Sequence, residues 1–381
     1  MSSEKLRQIM SLINSYNHFG LNVFKTLLLE GKNVFTSPIG LALTSTLLVN
    51  GTAGETKNAI LKTLMIEDIE SAILNELNYE IIKALNYSSL DFRLDIGISA
   101  WFNYSVNIKE DFKQIAKEFY LSEIYSLDFN NNSSISTINN WVQNKTHGKI
   151  SEIITTEEIS NLSNPMTFLV FNVIYFKGLW IKQFDEMNTK PEQFFLQNGE
   201  RKTVQMMSQN NEFLYLKTND VEIVQLFYGK GFIGKVSAYI FLPAESSSLT
   251  SLIQSLDNQK IMNQIESLTI HSGSLKIPRF SIESKINLTN VLTSLGLGII
   301  FNSNADFSQM VEENSIIDDV SQKTVVVFNE KGTEIATVTE FKGIMGMPPL
   351  FSMTVNRPFL VIIMDNNIQA ILYIGGVYDP N

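Results

Sequence analysis

Apolar residues recur at helical spacing through the first part of the chain. Between residues 3 and 29 they fall near a 3.6-residue period, at Leu6, Ile9, Leu12, Ile13, Tyr16, Phe19, Val23, Leu27 and Leu28. This period predicts one long helix or two short ones. Similar patterns predict helices over Ile39 to Val49, Thr52 to Leu64, Ile69 to Leu85, Lys109 to Phe119 and Ser136 to Thr146.

Short apolar runs that are typical of β-strands lie between these helices and fill the second half of the chain. They cover Phe92 to Phe102, Phe168 to Phe176, Phe213 to Leu216, Val221 to Tyr228, Val236 to Leu242, Ser274 to Pro278, Lys323 to Phe328, Phe351 to Val355, Phe359 to Met364 and Ala370 to Ile374. Helices and strands do not alternate as βαβ units would. The sequence therefore predicts an α+β fold, with N-terminal helices packed on a large, mostly antiparallel sheet.

One strand-like segment, residues 329–347, has no obvious partner in this pattern. Its side chains alternate between an uncharged face and a charged face. The uncharged face holds Thr333, Ile335, Thr337, Thr339 and Phe341, and the other holds Glu334, Ala336, Val338, Glu340 and Lys342. Because one face is uncharged and the segment lacks proline, it could enter the middle of a sheet. An ordinary edge strand is the alternative interpretation.

Composition favours one large domain over residues 1–381. The apolar fraction is 44%, and no linker, repeat or long low-complexity tract divides the chain. Lys and Arg number 29 against 39 Asp and Glu, which gives a formal charge of −10. No run of four basic residues occurs, so neither a nucleic-acid partner nor a heparin site is expected.

The chain contains no cysteine, which excludes disulfides and thiol catalysis. Its first ten residues mix charges with apolar residues and lack the unbroken apolar core of a signal peptide. We therefore expect a cytoplasmic protein without a membrane partner. Secretion is the alternative if a leader has been removed or release is unconventional.

Catalytic chemistry is also missing from the pattern. None of the three histidines, His18, His147 and His271, lies in a hydrolase or metal-binding motif. We interpret them as surface or capping residues. The chain is therefore not expected to be an enzyme.

Two further motifs have simpler explanations than a cofactor or metal site. The glycines of Gly229 to Gly234 have the spacing of a dinucleotide fingerprint, but a second strand follows where that motif needs a helix. A glycine-rich hairpin explains them better. The acidic pairs Glu312-Glu313 and Asp318-Asp319 lack neighbouring ligands and are interpreted as solvated loop charges. No cofactor and no metal are expected.

Several motifs occur together in the order that is typical of one family. They are Asn33 to Pro38, Trp141 to Ile150, Asn172 to Trp180 with Phe184 and Thr189, Pro278 to Phe280, Leu295-Gly296, Ala305 to Ser308, Glu330 to Glu334 and Asn356 to Phe359. On these motifs the chain resembles a serpin, and specifically an inhibitory member of the intracellular type. The resemblance covers essentially the whole length.

The resemblance implies a serpin fold with further sheets and an exposed reactive-centre loop at about residues 331–350. It also implies a mechanism in which the protein is a monomeric suicide substrate. A protease cleaves the loop and becomes covalently attached in a 1:1 complex. The loop then inserts between the strands at Phe168 to Phe176 and Lys323 to Glu330, and this traps the acyl-enzyme. The native fold would be metastable.

Three groups of residues carry the mechanism in such proteins, and the resemblance assigns them by position. The hinge is Glu330, Gly332, Thr333, Glu334, Ile335 and Ala336; the shutter is Ser37, Asn172 and Gln322; the breach is Trp180.

The hinge departs from the family at one position, because Ile335 replaces the usual small alanine and could slow insertion. The shutter departs at two. Gln322 stands where histidine is common and can still hydrogen-bond toward Ser37 and Asn172. Gly40 replaces a serine and so removes one hydroxyl. A non-inhibitory binding protein or chaperone with the serpin fold is the alternative function.

The family's usual spacing from Glu330 places the scissile bond after Gly346, but glycine offers no side chain to a protease pocket. Cleavage after Met347 would put Pro348 just beyond the bond. Met345-Gly346 is therefore the first choice, and Gly346-Met347 is the second. Methionine predicts a chymotrypsin-like, cathepsin G-like or elastase-like serine protease, with a cysteine protease as an alternative.

Overall fold

The computed structural model describes residues 2–28, 31–160, 167–229, 234–312, 315–317, 320–333 and 350–380. The helices are α1 (Ser3–Leu27), α2 (Pro38–Val49), α3 (Gly54–Leu64), α4 (Ser71–Leu85), α5 (Glu110–Phe119), α6 (Asn132–Lys145), α7 (Thr156–Ser160), α8 (Leu249–Ser255), α9 (Asn258–Glu266) and α10 (Thr289–Leu292). Helical turns continue after α10 as far as Phe301. None of the helices in these ranges has both the length and the hydrophobicity needed to cross a bilayer.

The strands alternate with the helices at first and then dominate the second half. They are β1 (Val34–Thr36), β2 (Tyr87–Ser88), β3 (Phe92–Asn103), β4 (Glu123–Leu127), β5 (Thr167–Leu179), β6 (Lys190–Phe195), β7 (Arg201–Lys217), β8 (Val221–Phe227), β9 (Val236–Pro243), β10 (Thr269–Pro278), β11 (Phe280–Asn287), β12 (Ile316–Ile317), β13 (Ser321–Asn329), β14 (Gly332–Thr333), β15 (Phe351–Thr354), β16 (Phe359–Asp365) and β17 (Ala370–Val377).

Most of the predicted elements are present, with bounds that differ by a few residues. The first pattern is one continuous helix, α1, whose apolar stripe is buried. The glycine-rich motif joins β8 to β9, which pair antiparallel, so the hairpin interpretation is confirmed. The pattern predicts none of β1, β2, β4, β6, β11 and β12 and none of α7 to α10, and it underestimates the lengths of β7 and β10.

Two sheets organise the described chain. One has the strand order β1-β17-β16-β9-β8-β7-β10-β15, with β6 also paired to β7. The other, which we call the central sheet, has the order β11-β13-β14-β5-β3-β2, with β12 paired to β5 and β4 paired to β3. Antiparallel pairs predominate, as predicted, and the N-terminal helices share one apolar core with both sheets.

The central sheet contains a gap beside its middle strand. At the upper end the two-residue strand β14 pairs with both β13 and β5. At the lower end β12 pairs with β5 at Thr167 and Phe168. Between these points β13 and β5 share no ladder pair within the described residues. We call this space the slot.

Helix α6 and the residues that follow it lie across the slot. Trp141 and Val142 of α6 share an apolar cluster with Phe171 and Val173 of β5, and Val325 of β13 packs against the same cluster. The chain then continues over residues 146–154, which we call the cover segment. Two side chains hold the C-terminal end of this segment. The Asn139 side chain of α6 bonds residues 153 and 154, and Lys323 Nζ of β13 donates to the carbonyl of residue 152.

A carboxylate on β4 anchors α6 to the edge of the central sheet. Glu123 accepts hydrogen bonds from Lys145 at 2.7 Å and from the Trp141 indole at 3.1 Å, and it also contacts the Tyr125 hydroxyl. Partial burial alone would raise the pKa of Glu123. Hydrogen bonds from Lys145, Tyr125 and Trp141 outweigh that effect and hold this pKa below its usual range.

We expect Glu123→Gln to destabilise the protein by at most about 1 kcal/mol at pH 7, because both ionic partners are partly exposed. A carboxyl whose pKa is lower in the folded state contributes stability above its unfolded pKa of about 4.3 and loses it as the pH falls through the folded value. The difference in urea midpoint between the variant and the original protein should therefore disappear toward pH 3. Glu118→Gln, on the exposed face of α5, is the control. A difference that persists unchanged at low pH would contradict this assignment.

Candidate functional site

A tight hairpin joins β13 to β14 at the upper end of the slot. Phe328 pairs with Thr333 and Asn329 with Gly332, so only two residues form the loop. The Asn329 carboxamide oxygen accepts from the backbone N–H groups of residues 331 and 332. Gly332 has φ +148°, and a Cβ there would lie 2.0 Å from the carbonyl oxygen of Gly178. The hairpin therefore requires glycine at this position.

Thr333 is buried between the two walls of the slot. It is 3% exposed, and its hydroxyl lies 2.8 Å from the hydroxyl of Tyr228. Burial raises the pKa of Tyr228 far above its usual range, so this phenol stays protonated at any physiological pH. Thr333, the first residue of the uncharged face of the predicted strand, is therefore buried within the sheet, and its polar partner is the neutral Tyr228 hydroxyl.

Glu330 anchors the hairpin from the loop side. This carboxylate is 4% exposed and accepts a hydrogen bond from the Thr189 hydroxyl at 2.8 Å, while Arg279 lies 3.7 Å away. The carbonyl of Glu330 also accepts from the backbone N–H of Phe184. A buried carboxylate needs such partners, because an unpaired one would be costly to desolvate.

Trp180 closes the same end of the slot. Its indole N–H donates to the carbonyl of Asn329 at 2.9 Å, and its backbone N–H donates to the carbonyl of Lys331. The ring stacks on Tyr228 with centroids 4.3 Å apart and lies against Phe328. The predicted breach residue therefore bonds directly to the hairpin that carries the predicted hinge residues.

The predicted shutter residues meet at the lower end of the slot, where α2 begins. The Gln322 carboxamide oxygen accepts from the Thr36 hydroxyl at 2.6 Å and from the backbone N–H of Ser37 at 3.0 Å. The Ser37 hydroxyl donates to the carbonyl of Leu372 and caps α2 through the N–H of Gly40. Glutamine thus serves as an acceptor for the start of α2.

Asn172 is not part of that network. It is 8% exposed, and neither polar atom of its carboxamide has a hydrogen-bond partner within the described residues. Its oxygen would lie 2.2 Å from a Cβ at position 40. The expected network is therefore only half formed. Gly40, which the sequence presented as a lost hydroxyl, gives the Asn172 side chain its space.

Part of the predicted site lies outside the described residues. This applies to the reactive-bond residues Met345, Gly346 and Met347, and to the hinge residues Glu334, Ile335 and Ala336. Where the segment is described, at Gly332 and Thr333, it is a central strand paired on both sides. The edge-strand interpretation does not hold for those two residues.

Several functional contacts were not predicted as site residues. Tyr228, Thr36 and Arg279 each bond or pair with a hinge or shutter residue that the sequence did identify. The sequence pattern predicts Tyr228 only as the end of a strand. The preceding Leu226 and Phe227 carry the same apolar signal, so the pattern alone does not single it out.

Comparison with known proteins agrees with this geometry. The family model described as Serpin (serine protease inhibitor) matches residues 14–380. The chain belongs to the serpin family. Serpins are generally inhibitors of serine proteases and not catalysts.

Individual relatives include an antitrypsin, a heparin cofactor and a thyroxine-binding globulin. The chain is 30% identical to mouse alpha-1-antitrypsin 1-5, over 95% of this chain and 87% of that protein. It is 29% identical to rat heparin cofactor 2, over 98% of this chain and 78% of that protein. Its structure is similar to that of human thyroxine-binding globulin complexed with thyroxine, with a TM-score of 0.89, 25% identity and coverage of 98% and 99% of the two chains. The serpin fold is thereby confirmed.

We expect Gln322→Ala to lower stability by about 1 to 3 kcal/mol, because the buried N–H of Ser37 and hydroxyl of Thr36 lose their acceptor. Urea midpoint and unfolding rate, measured under fixed conditions, would report the loss. Thr36→Val is the matched control, since it removes one bond but leaves the Ser37 N–H satisfied. Equal stability of Gln322→Ala and the original protein would refute the acceptor role.

Proposed function

We propose that this serpin is a serine protease inhibitor that acts as a suicide substrate. The observation that carries the proposal is the position of Gly332 and Thr333 between β13 and β5, above a slot whose walls have no ladder pairs with each other. A strand that continued from Thr333 would gain a hydrogen-bonded neighbour on both sides. The uncharged face of the segment matches the buried, neutral environment of Thr333.

The chemistry belongs to the protease. Its serine hydroxyl attacks the carbonyl carbon of Met345, and the bond between Met345 and Gly346 breaks. The Met345 acyl group becomes an ester on the protease serine, while Gly346 takes up a proton as the new N-terminus of the released peptide. Insertion of the chain between Thr333 and Met345 then carries the acyl-enzyme away before water can hydrolyse the ester. The serpin contributes no catalytic group.

The register at Thr333, extended along both walls of the slot, predicts where each inserted residue would lie. Thr333 pairs with Gly178 of β5 and Phe328 of β13. Because both pairings are antiparallel, the residue six positions after Thr333 would pair with the residues six positions before Gly178 and Phe328. Thr339 would therefore come between Asn172 and Gln322, on the same face as both. Its hydroxyl would reach the shutter, where the Asn172 carboxamide has no hydrogen-bond partner among the described residues.

Target choice follows from the reactive bond. Methionine at position 345 suits the apolar specificity pockets of chymotrypsin-like, cathepsin G-like and elastase-like proteases. We propose no heparin dependence, although one relative is named heparin cofactor 2. Helix α4 carries Glu76 and Glu80 against Lys83, which disfavours a polyanion on this helix.

A second candidate function is a non-inhibitory binding protein. The likeness to thyroxine-binding globulin supports it, because the name and the bound thyroxine of that protein describe a carrier. The bulk of Ile335 on the inserting face supports it too. The two functions differ in whether loop cleavage leads to a covalent complex and a more stable fold.

The first test is incubation with chymotrypsin-like, elastase-like and trypsin-like proteases, followed by SDS gels and mass measurement of the released peptide. We expect an SDS-stable complex with the first two classes and a peptide that begins at Gly346. Met345→Arg should shift complex formation toward the trypsin-like enzyme, and Met347→Arg is the matched control. Cleavage without a complex across the panel would favour the non-inhibitory function.

The register makes a second, sharper prediction for the cleaved protein. Thr339→Val should reduce the stability gained on cleavage by about 1 kcal/mol, because a buried hydrogen bond to the shutter is lost. Thr337→Val is the matched control, since the register sets residue 337 beside Ile174 and Thr324 instead. Urea midpoints of the loop-cleaved variants provide the comparison. If both variants lose the same amount, the register is wrong.

A further inference from the structure

A cavity lies below the lower end of the slot, between the central sheet and helices α2 and α3. The space open to the centres of water-sized molecules is about 40 Å³. Most of its wall is branched and apolar, including Leu41, Leu48, Ile60, Val170 and Leu297. Room of this size holds roughly three water molecules, which in the liquid occupy about 90 Å³. A compact organic molecule of about six heavy atoms has a similar volume.

Besides the Asn172 carboxamide, one hydrogen-bond donor in this wall has no partner among the described residues. The Gln322 carboxamide orientation is fixed, because its oxygen accepts from the backbone N–H of Ser37. Its nitrogen therefore takes no part in these bonds to the start of α2, and it has no hydrogen bond to any described residue. Gln322 is 4% exposed and lines the cavity. A donor that faces a mostly apolar cavity favours an occupant that supplies an acceptor.

The remaining polar groups of the wall define the occupant further. Thr44 and Ser45 donate their hydroxyl protons back to carbonyls of α2, so only their lone pairs are left for a guest. None of the described side chains that line the cavity is charged. A charged guest would lose its hydration without gaining an ionic partner.

We propose that this cavity is a binding site for a small uncharged molecule with a compact, branched apolar body and one carbonyl or hydroxyl oxygen. The oxygen accepts from Gln322 Nε2, and the body fills the space between Leu41, Ile60 and Val170. A short branched amide or alcohol has this chemistry. With so few atoms in contact, binding is in the millimolar range.

Binding at this site would act on the slot. The cavity wall includes Val170 and Asn172 of β5 and Gln322 of β13, which belong to both sides of the slot. An inserted strand would direct a side chain toward the same two carboxamides. The occupant therefore stabilises the uninserted sheet and slows insertion. This regulatory consequence rests on the proposed function, whereas the binding site itself does not.

The first experiment needs no protease. Unfolding rates in urea are measured against increasing isobutyramide, and the control probe is isobutyrate, which has the same shape but carries a charge. We expect saturable slowing with isobutyramide and none with isobutyrate. Ser45→Leu fills the cavity and leaves the Gln322 bonds to α2 intact, so it should abolish the effect. No slowing in the original protein, or equal slowing in Ser45→Leu or with isobutyrate, overturns the site.

The second experiment adds the protease from the panel above. Near-saturating isobutyramide should slow complex formation several-fold in the original protein and leave Ser45→Leu unaffected, with protease activity on a peptide substrate as a control. An unchanged rate despite proven binding overturns the regulatory part. If no complex forms under any condition while binding persists, it is the inhibitory function that fails and the binding site stands.

Discussion

The close approach of Gly332 to the carbonyl of Gly178 is the constraint on which the functional end of the molecule depends. Only a residue without a side chain fits at this position, and the close approach places β14 between β13 and β5. Two residues thus keep the central strands apart. The slot, the burial of Thr333 and the register of any later insertion all follow from this one contact.

The two ends of the slot are satisfied to different degrees. At the upper end Glu330 has a hydroxyl, a guanidinium and a backbone N–H within reach, and Trp180 bonds the hairpin twice. At the lower end the Asn172 carboxamide is buried and has no partner in the part of the chain that the structure describes. Buried polar groups in this condition are costly, and they are rare in folded proteins. The polar groups at the upper end, where the segment enters, thus have hydrogen-bond partners. At the lower end, which an inserted strand would reach, Asn172 has none among the described residues.

Local pattern explains which parts of the fold could be predicted. Helix α1 and strand β5 carry strong periods of their own, and their existence was clear from the sequence. Strand β11 alternates with polar residues such as Ser281 and Glu283 and depends on pairing with β13, so its own sequence signal is weak. Hydrophobic period shows which face of a strand is buried, but not which distant strand lies beside it.

The family motifs single out candidate site residues, but they do not predict the contacts between their atoms. The family motifs identified Ser37, Asn172 and Gln322, and the structure brings them to one end of the slot. That Gln322 bonds Ser37 while Asn172 bonds neither depends on rotamers and on the space left by Gly40. Such details depend on three-dimensional packing, and a linear motif does not encode them.

The slot also reverses the usual distribution of protection within a sheet. In most sheets the central strands exchange their amide protons slowest, because both of their neighbours are in place. Here β5 is central in order, yet over its middle residues it has a ladder on the β3 side alone among the described strands. Over these middle residues every second backbone N–H therefore points toward the slot, where no described strand accepts a hydrogen bond from it. The interior of this sheet has the hydrogen-bonding character of an edge, protected by the cover segment and not by a strand.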